Sequence, residues 1–120
     1  MQVFERVIED RGSRYAVSGG ACQNATDAEQ FVKRLVAHKK RFAKATHHSW
    51  ALLVGDGVIK RDDGETGAGA VIARVLQQTN LTEHIVVVSR WYGGKHLGGD
   101  RFRHVAHAAR FYLDQLASPH

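Results

Sequence analysis

Two segments of this 120-residue chain concentrate groups able to do chemistry. Asp62, Asp63 and Glu65 crowd three carboxylates into one short loop, while Arg90, Lys95, His96 and Arg101 line a second, glycine-rich loop that also carries Trp91 and Tyr92. Carboxylates this close repel one another unless a cation, an arginine or the positive end of a helix dipole faces them. A divalent metal could do so, but the spacing is not that of an EF-hand and Asp-Gly turns are common, so no metal is expected. In the second loop Gly93-Gly94 allows a sharp turn, and a strand-to-helix passage rich in glycine is similar to a phosphate cradle. It has neither Gly-x-x-x-x-Gly-Lys-Ser/Thr nor Gly-x-Gly-x-x-Gly, so no nucleotide cofactor is expected. If the fold sets the loops side by side, the carboxylates are expected to orient Arg90 or Arg101. The result is then either a charge-paired docking surface or a salt-bridged junction in which Trp91 or Tyr92 closes the core.

Other reactive residues are less organised. His104 and His107 lie one helical turn apart but lack an evident third metal ligand, and His47 and His48, adjacent on a strand, point to opposite faces. Cys22 has no activating base nearby in sequence, and no serine occupies a nucleophile-elbow context. Enzymatic turnover is therefore not expected. Lys33, Arg34, Lys39, Lys40, Arg41 and Lys44 create a strong local potential that would attract phosphates. Such a run is also the ordinary solvated face of a helix, and aromatic interleaving is absent. With Arg103 and Arg110 on the last helix, Lys33, Arg34, Lys39 and Lys40 form the alternative site, for nucleic acid or the ribosome.

Seventeen Lys and Arg against twelve Asp and Glu leave a formal charge of +5, a bias toward acidic partners. The single cysteine excludes an internal disulfide framework. No apolar run approaches the roughly 20 residues a spanning helix needs, and no secretory signal is evident, so cytoplasmic residence is expected, with no membrane partner. Length and a single proline argue for one domain over residues 1–120.

Several elements must position these loops. Val3–Ile8 and Arg14–Ser18 read as a strand pair, and Thr26 with Glu29 reads as a capping box opening a helix whose apolar stripe runs from Ala28 to Phe42. Ser49–Val54 is a third strand, followed by a turn or bulge at Gly55-Asp56-Gly57. A short helix runs from Gly67 to Asn80, and the unbroken apolar run Ile85–Val88 reads as the central strand. The last helix, from Asp100 to Pro119, is expected to bury Phe102, Val105, Ala106, Ala109, Leu113 and Leu116. This order predicts an α+β two-layer sandwich of about four strands and three helices.

At the two loops the chain resembles the IMPACT family, whose shared domain also occurs in bacterial proteins of the YigZ type. The resemblance rests on Ala45-Thr46-His47, Asp62-Asp63-Gly64-Glu65-Thr66, Ala68-Gly69, Val86 through Gly94, Leu97-Gly98, Asp100-Arg101-Phe102 and Ala109-Arg110. Ser89-Arg90-Trp91-Tyr92-Gly93-Gly94 and Asp100-Arg101-Phe102 are closer to the eukaryotic branch. His96 and Gly99 stand where other members often have an apolar residue and a proline. The resemblance implies a fold similar to domain 2 of ribosomal protein S5 and a regulatory, non-catalytic role. Eukaryotic relatives act in amino-acid starvation, competing for the ribosome-associated activator of a translation-initiation-factor kinase, and they bind monomeric actin. Nucleic-acid binding has been suggested for bacterial relatives. The RWD domain that eukaryotic regulators carry ahead of this domain has no counterpart in these 120 residues.

Overall fold

A computed structural model of the chain describes residues 1–117. The strands are β1 (Gln2–Asp10), β2 (Ser13–Ala21), β3 (His47–Val54), β4 (Gly57–Arg61) and β5 (His84–Trp91). The helices are α1 (Ala25–His38), α2 (Lys40–Ala43), α3 (Ala68–Thr79) and α4 (Asp100–Ala117). The strands form one sheet in the order β1-β2-β5-β3-β4, every neighbouring pair antiparallel. The apolar run of β5 is indeed central, and Ile85, Val86, Val87 and Val88 are all buried.

Alternation along the strands divides the core in two. Tyr15, Val17, Ala51, Leu53, Val86 and Val88 pack with α3 and α4, whereas Ala16, Trp50, Leu52, Ile85 and Val87 pack with Ala28, Phe31 and Leu35 of α1 and Phe42 of α2. The α+β class stands, with helices covering both faces of the sheet. The strand count is five and not four, because Gly55 and Asp56 form a two-residue hairpin turn and the chain returns as β4, pairing Val54 with Gly57. Gly55, at φ +57°, supplies the left-handed conformation that such a turn demands.

Local expectations are corrected at three places. The cap of α1 is Asn24, whose side chain accepts from Asp27 N at 2.8 Å while Asp27 accepts from Gln23 N at 3.2 Å. Thr26 thus lies inside the first turn, and Glu29 faces Arg61 at 3.5 Å. The helical run to Phe42 is broken by extended backbone at Lys39, where the chain turns back toward β3. On α4 the buried residues are Val105, Ala108, Ala109 and Tyr112, while Leu116 remains 38 % exposed. The stripe is rotated toward the large Tyr112 ring, which fills the space above Gly19, where an added Cβ would lie 2.4 Å from it. The expected end at Pro119 lies outside the described residues.

Candidate functional site

β5 continues to alternate as it leaves the core, sending Arg90 to the α3/α4 side and Trp91 to the α1/α2 side. Arg90 stands opposite Tyr15 of β2 and His47 of β3, so three strands converge on its side chain. Its Nη1 donates to both Glu65 oxygens, at 2.8 and 3.1 Å, and Nη2 donates to Ser13 Oγ at 3.3 Å. Both partners are enclosed, with side-chain exposures of 8 % and 3 %. The guanidinium also lies 5.8 Å from the Tyr15 and Tyr92 ring centroids.

Glu65 meets a second donor in His47, whose Nε2 lies 3.1 Å from Oε2. The other ring nitrogen, Nδ1, faces the Asp63 carbonyl at 2.8 Å. Each ring nitrogen of His47 thus faces an oxygen of the acidic loop. The acidic and basic loops therefore meet, and the contact is a buried ion pair buttressed by a histidine and a serine.

The neighbouring carboxylates do other work. Asp62 accepts from Gly67 N at 3.0 Å and from Gly69 N at 2.8 Å, fastening the start of α3, and the Gly67 bond foremost holds its carboxyl below the usual range. Gly69 suits this arrangement, since an added Cβ would lie 2.9 Å from Asp62 Oδ1. Asp63 accepts from His48 N at 2.7 Å, and Ser49 Oγ donates to the Asp62 carbonyl at 2.7 Å. The three carboxylates thus point to separate donors, which relieves their repulsion. The expectation that all three would orient Arg90 or Arg101 is corrected: Glu65 alone does so, and its partner is Arg90. Arg101 lies over the Phe102 ring at 4.8 Å.

The aromatic pair is divided as well. Trp91 is half-buried, its ring set against Phe42 with centroids 5.4 Å apart and its Nε1 donating to the Arg41 carbonyl at 2.9 Å. Arg41 covers it, with the guanidinium 5.0 Å from the indole centroid. Tyr92 remains 43 % exposed, its backbone N–H held by Thr46 Oγ1 at 2.9 Å and its ring tilted against His96. Beyond it the loop crosses the β1–β2 turn so closely that a Cβ on Gly93 would lie 2.1 Å from the Gly12 carbonyl carbon. Lys95 is exposed.

Two shallow depressions result, with Tyr92 lining both. One, about 400 Å³, is lined by residues that include His47, Glu65, Arg90, His96 and Arg101. The other, about 450 Å³, lies among Gly12, Arg14, Arg41, Lys44 and Trp91. His47, Ser13 and Arg14 were missed as site residues in the sequence because strand pairing, not spacing along the chain, brings them here, whereas Lys44, read from the sequence as one of a run of phosphate-attracting cations, caps the C-terminal end of α2 beside Trp91.

Other reactive candidates are engaged in structure. His104 Nε2 meets Asp10 Oδ2 at 2.7 Å, and His107 is exposed. His48 and Ser89 form a contact of 2.7 Å within the core, with the second ring nitrogen on the Phe42 carbonyl at 2.8 Å, so no substrate reaches that hydroxyl. Cys22 is buried, and burial raises its thiol pKa. Among the described residues no three His, Cys, Asp or Glu side chains gather as metal ligands, and no helix is long and apolar enough to cross a membrane.

The cations of the nucleic-acid alternative do not form one patch. Lys33 and Arg34 lie on α1 and Arg103 and Arg110 on α4, across the sheet from each other. Lys40 is exposed on α2. Lys39 is bonded to Glu5 at 2.7 Å, and Arg103 to Asp100 at 3.3 Å.

A family model for the Impact N-terminal domain matches residues 11–113. Protein IMPACT-B of Xenopus tropicalis is 38 % identical over 114 residues, covering 90 % of this chain and 36 % of its own length. The Protein IMPACT homolog of Schizosaccharomyces pombe is 32 % identical over 108 residues, covering 86 % of this chain and 38 % of its own. The chain thus spans little more than a third of these relatives. Among solved structures, the crystal structure of a hypothetical protein matches with a TM-score of 0.82 at 26 % identity, over 94 % of this chain and 57 % of that one. The two-domain translational regulator Yih1 matches with a TM-score of 0.54 at 29 % identity, over 94 % of this chain and 44 % of its own. With the matched model spanning both loops and most of the sheet, this chain belongs to the IMPACT family through its Impact N-terminal domain.

Proposed function

We propose that residues 1–120 act as one non-enzymatic, IMPACT-like regulatory domain that binds a protein partner in translational control. The rim of the joined loops is the recognition surface. The observation that carries this reading is the enclosed Glu65–Arg90 pair at 2.8 Å, which joins the two loops beside a depression edged by Tyr92, His96 and Arg101, with the exposed Lys95 in the same loop. In this reading Asp62, Asp63, Glu65, Arg90 and Trp91 shape the surface from beneath, and the exposed residues touch the partner. The match to the translational regulator Yih1 supports the regulatory setting. From the family resemblance, the partner is the ribosome-associated activator of a translation-initiation-factor kinase or monomeric actin, in the cytoplasm during amino-acid starvation.

Immobilised chain should recover one of these two partners from cell extract treated with nuclease. Tyr92→Ala combined with Arg101→Ala should lower recovery by about tenfold, a loss of roughly 1.4 kcal/mol. Undiminished recovery by a folded double variant would remove this rim from the binding site. Recovery abolished by nuclease would favour an RNA-mediated association instead.

A further inference from the structure

Tyr92 stands just beyond the end of β5, where the two faces of the sheet meet, and the depressions flanking it differ in origin. Arg14 pairs in register with Trp91, so the depression with Arg41 and Lys44 opens on the α1/α2 side. His47 pairs with Arg90, so the depression with Glu65 and Arg101 opens on the α3/α4 side. Their charges are strongly biased. Arg14, Arg41, Lys44, Arg90 and Arg101 face them against the single carboxylate of Glu65, which Arg90 and His47 already engage.

Several of these cations are available to an incoming carboxylate. Lys44 is exposed and Arg101 half-buried at the depression's edge, and neither has an ion pair among the described residues. Arg14 and Arg41 lean on Glu9 and Glu5 at 3.2 and 2.9 Å, but these pairs are solvent-accessible. Solvated pairs of that kind are weak, so one carboxylate is readily exchanged for another.

We infer that the two depressions, with Tyr92 as the ridge between them, dock an extended acidic segment of a protein partner, one carboxylate-bearing side chain entering on each side. In an extended chain alternate side chains recur about 6.6 Å apart on one face, a spacing suited to bracketing a single ring. Single-strand binders set several aromatics along a cationic groove, whereas here one exposed ring stands between two separate basic hollows. This inference rests on the loop rim being a protein-binding surface and adds the chemistry of what it binds.

The test uses the intact chain and a fluorescein-labelled peptide alternating serine and glutamate, read by fluorescence anisotropy at low and at physiological salt. The glutamate peptide should bind and its glutamine counterpart should not. Lys44→Glu and Tyr92→Ala should each weaken binding by about tenfold. Lys33→Glu, on α1 away from both depressions, should leave it within about twofold. Should Lys44→Glu fail to show a wild-type melting transition, Lys44→Gln takes its place. Absence of binding at low salt, or equal losses from the Lys33 and Lys44 variants, overturns the proposal. So does tighter, Lys44-dependent binding of an oligouridine probe. A peptide that fails while partner recovery still depends on Tyr92 would refute the acidic chemistry alone and leave the protein-binding rim standing.

Discussion

Glu65 is the residue on which the junction turns, because its buried carboxylate answers two donors from different strands. Removing one partner of such a pair leaves an uncompensated charge in the interior. Glu65→Ala should therefore destabilise the protein by about 3–5 kcal/mol in urea denaturation, and adding Arg90→Met should recover much of that loss. A double variant no more stable than the single one would show that Arg90 is not the group left stranded. Asp10 behaves differently, because it is solvated. Its hydrogen bond from Arg11, and secondarily that from His104, lowers its pKa from 3.8 to about 2. A carboxylate with a depressed folded-state pKa stabilises the fold above its ordinary value and loses that contribution as pH falls through the lowered one. The link from the β1–β2 turn to α4, made through Arg11, Asp100 and His104, should thus hold above about pH 4 and weaken toward pH 2. An NMR titration following the Asp10 carboxyl carbon should give a midpoint of about 2, and one near the ordinary 3.8 would show that Arg11 and His104 do not hold the carboxylate.

The secondary elements show where short-range rules hold and where they are overruled. Helix α3 starts and stops where its pattern indicates, with Asp62 bonded to its first N–H groups and Asn80 closing it in the left-handed conformation at φ +54°. In α1 two candidate caps compete, and Asn24 wins over Thr26 because Asp27 can reach back to Gln23 N. Asn24→Ala should cost about 1 kcal/mol and Thr26→Ala well under that, a difference readable as a shift in denaturation midpoint. A larger effect at Thr26 would contradict the assignment. The loop between β5 and α4 depends on a backbone crossing, so Gly93→Ala must push the β1–β2 turn aside. It should lower stability by about 1–3 kcal/mol and reduce partner recovery together, since the same loop carries Tyr92.

Across the protein, one sheet serves two cores, and their fluorophores are segregated. Trp50 and Trp91 report on the α1/α2 side, while Tyr15 and Tyr112 lie on the α3/α4 side. Because β2, β3 and β5 belong to both, the two sides should melt in a single transition, with tryptophan fluorescence and near-ultraviolet circular dichroism coinciding. Separate midpoints would mean that the α1/α2 layer unfolds independently. The same architecture disperses the basic residues over opposite faces, so a net charge of +5 does not amount to one cationic surface.

Much of this was legible in the sequence, because periodicity and glycine placement are local properties of the chain. The central β5, the amphipathic α3 and α4, the two unusual loops and their opposite charges all follow from residue order and steric preference. The order of residues also carried the family resemblance. It could not tell which carboxylate meets which arginine, since Glu65, Arg90, His47 and Ser13 become neighbours only when β2, β3 and β5 pair in register. Nor could it show that Trp91 rests on Phe42 while Tyr92 faces outward, or that helices cover both sides of the sheet. Those outcomes depend on contacts between segments distant along the chain, whose energies no short window of residues contains.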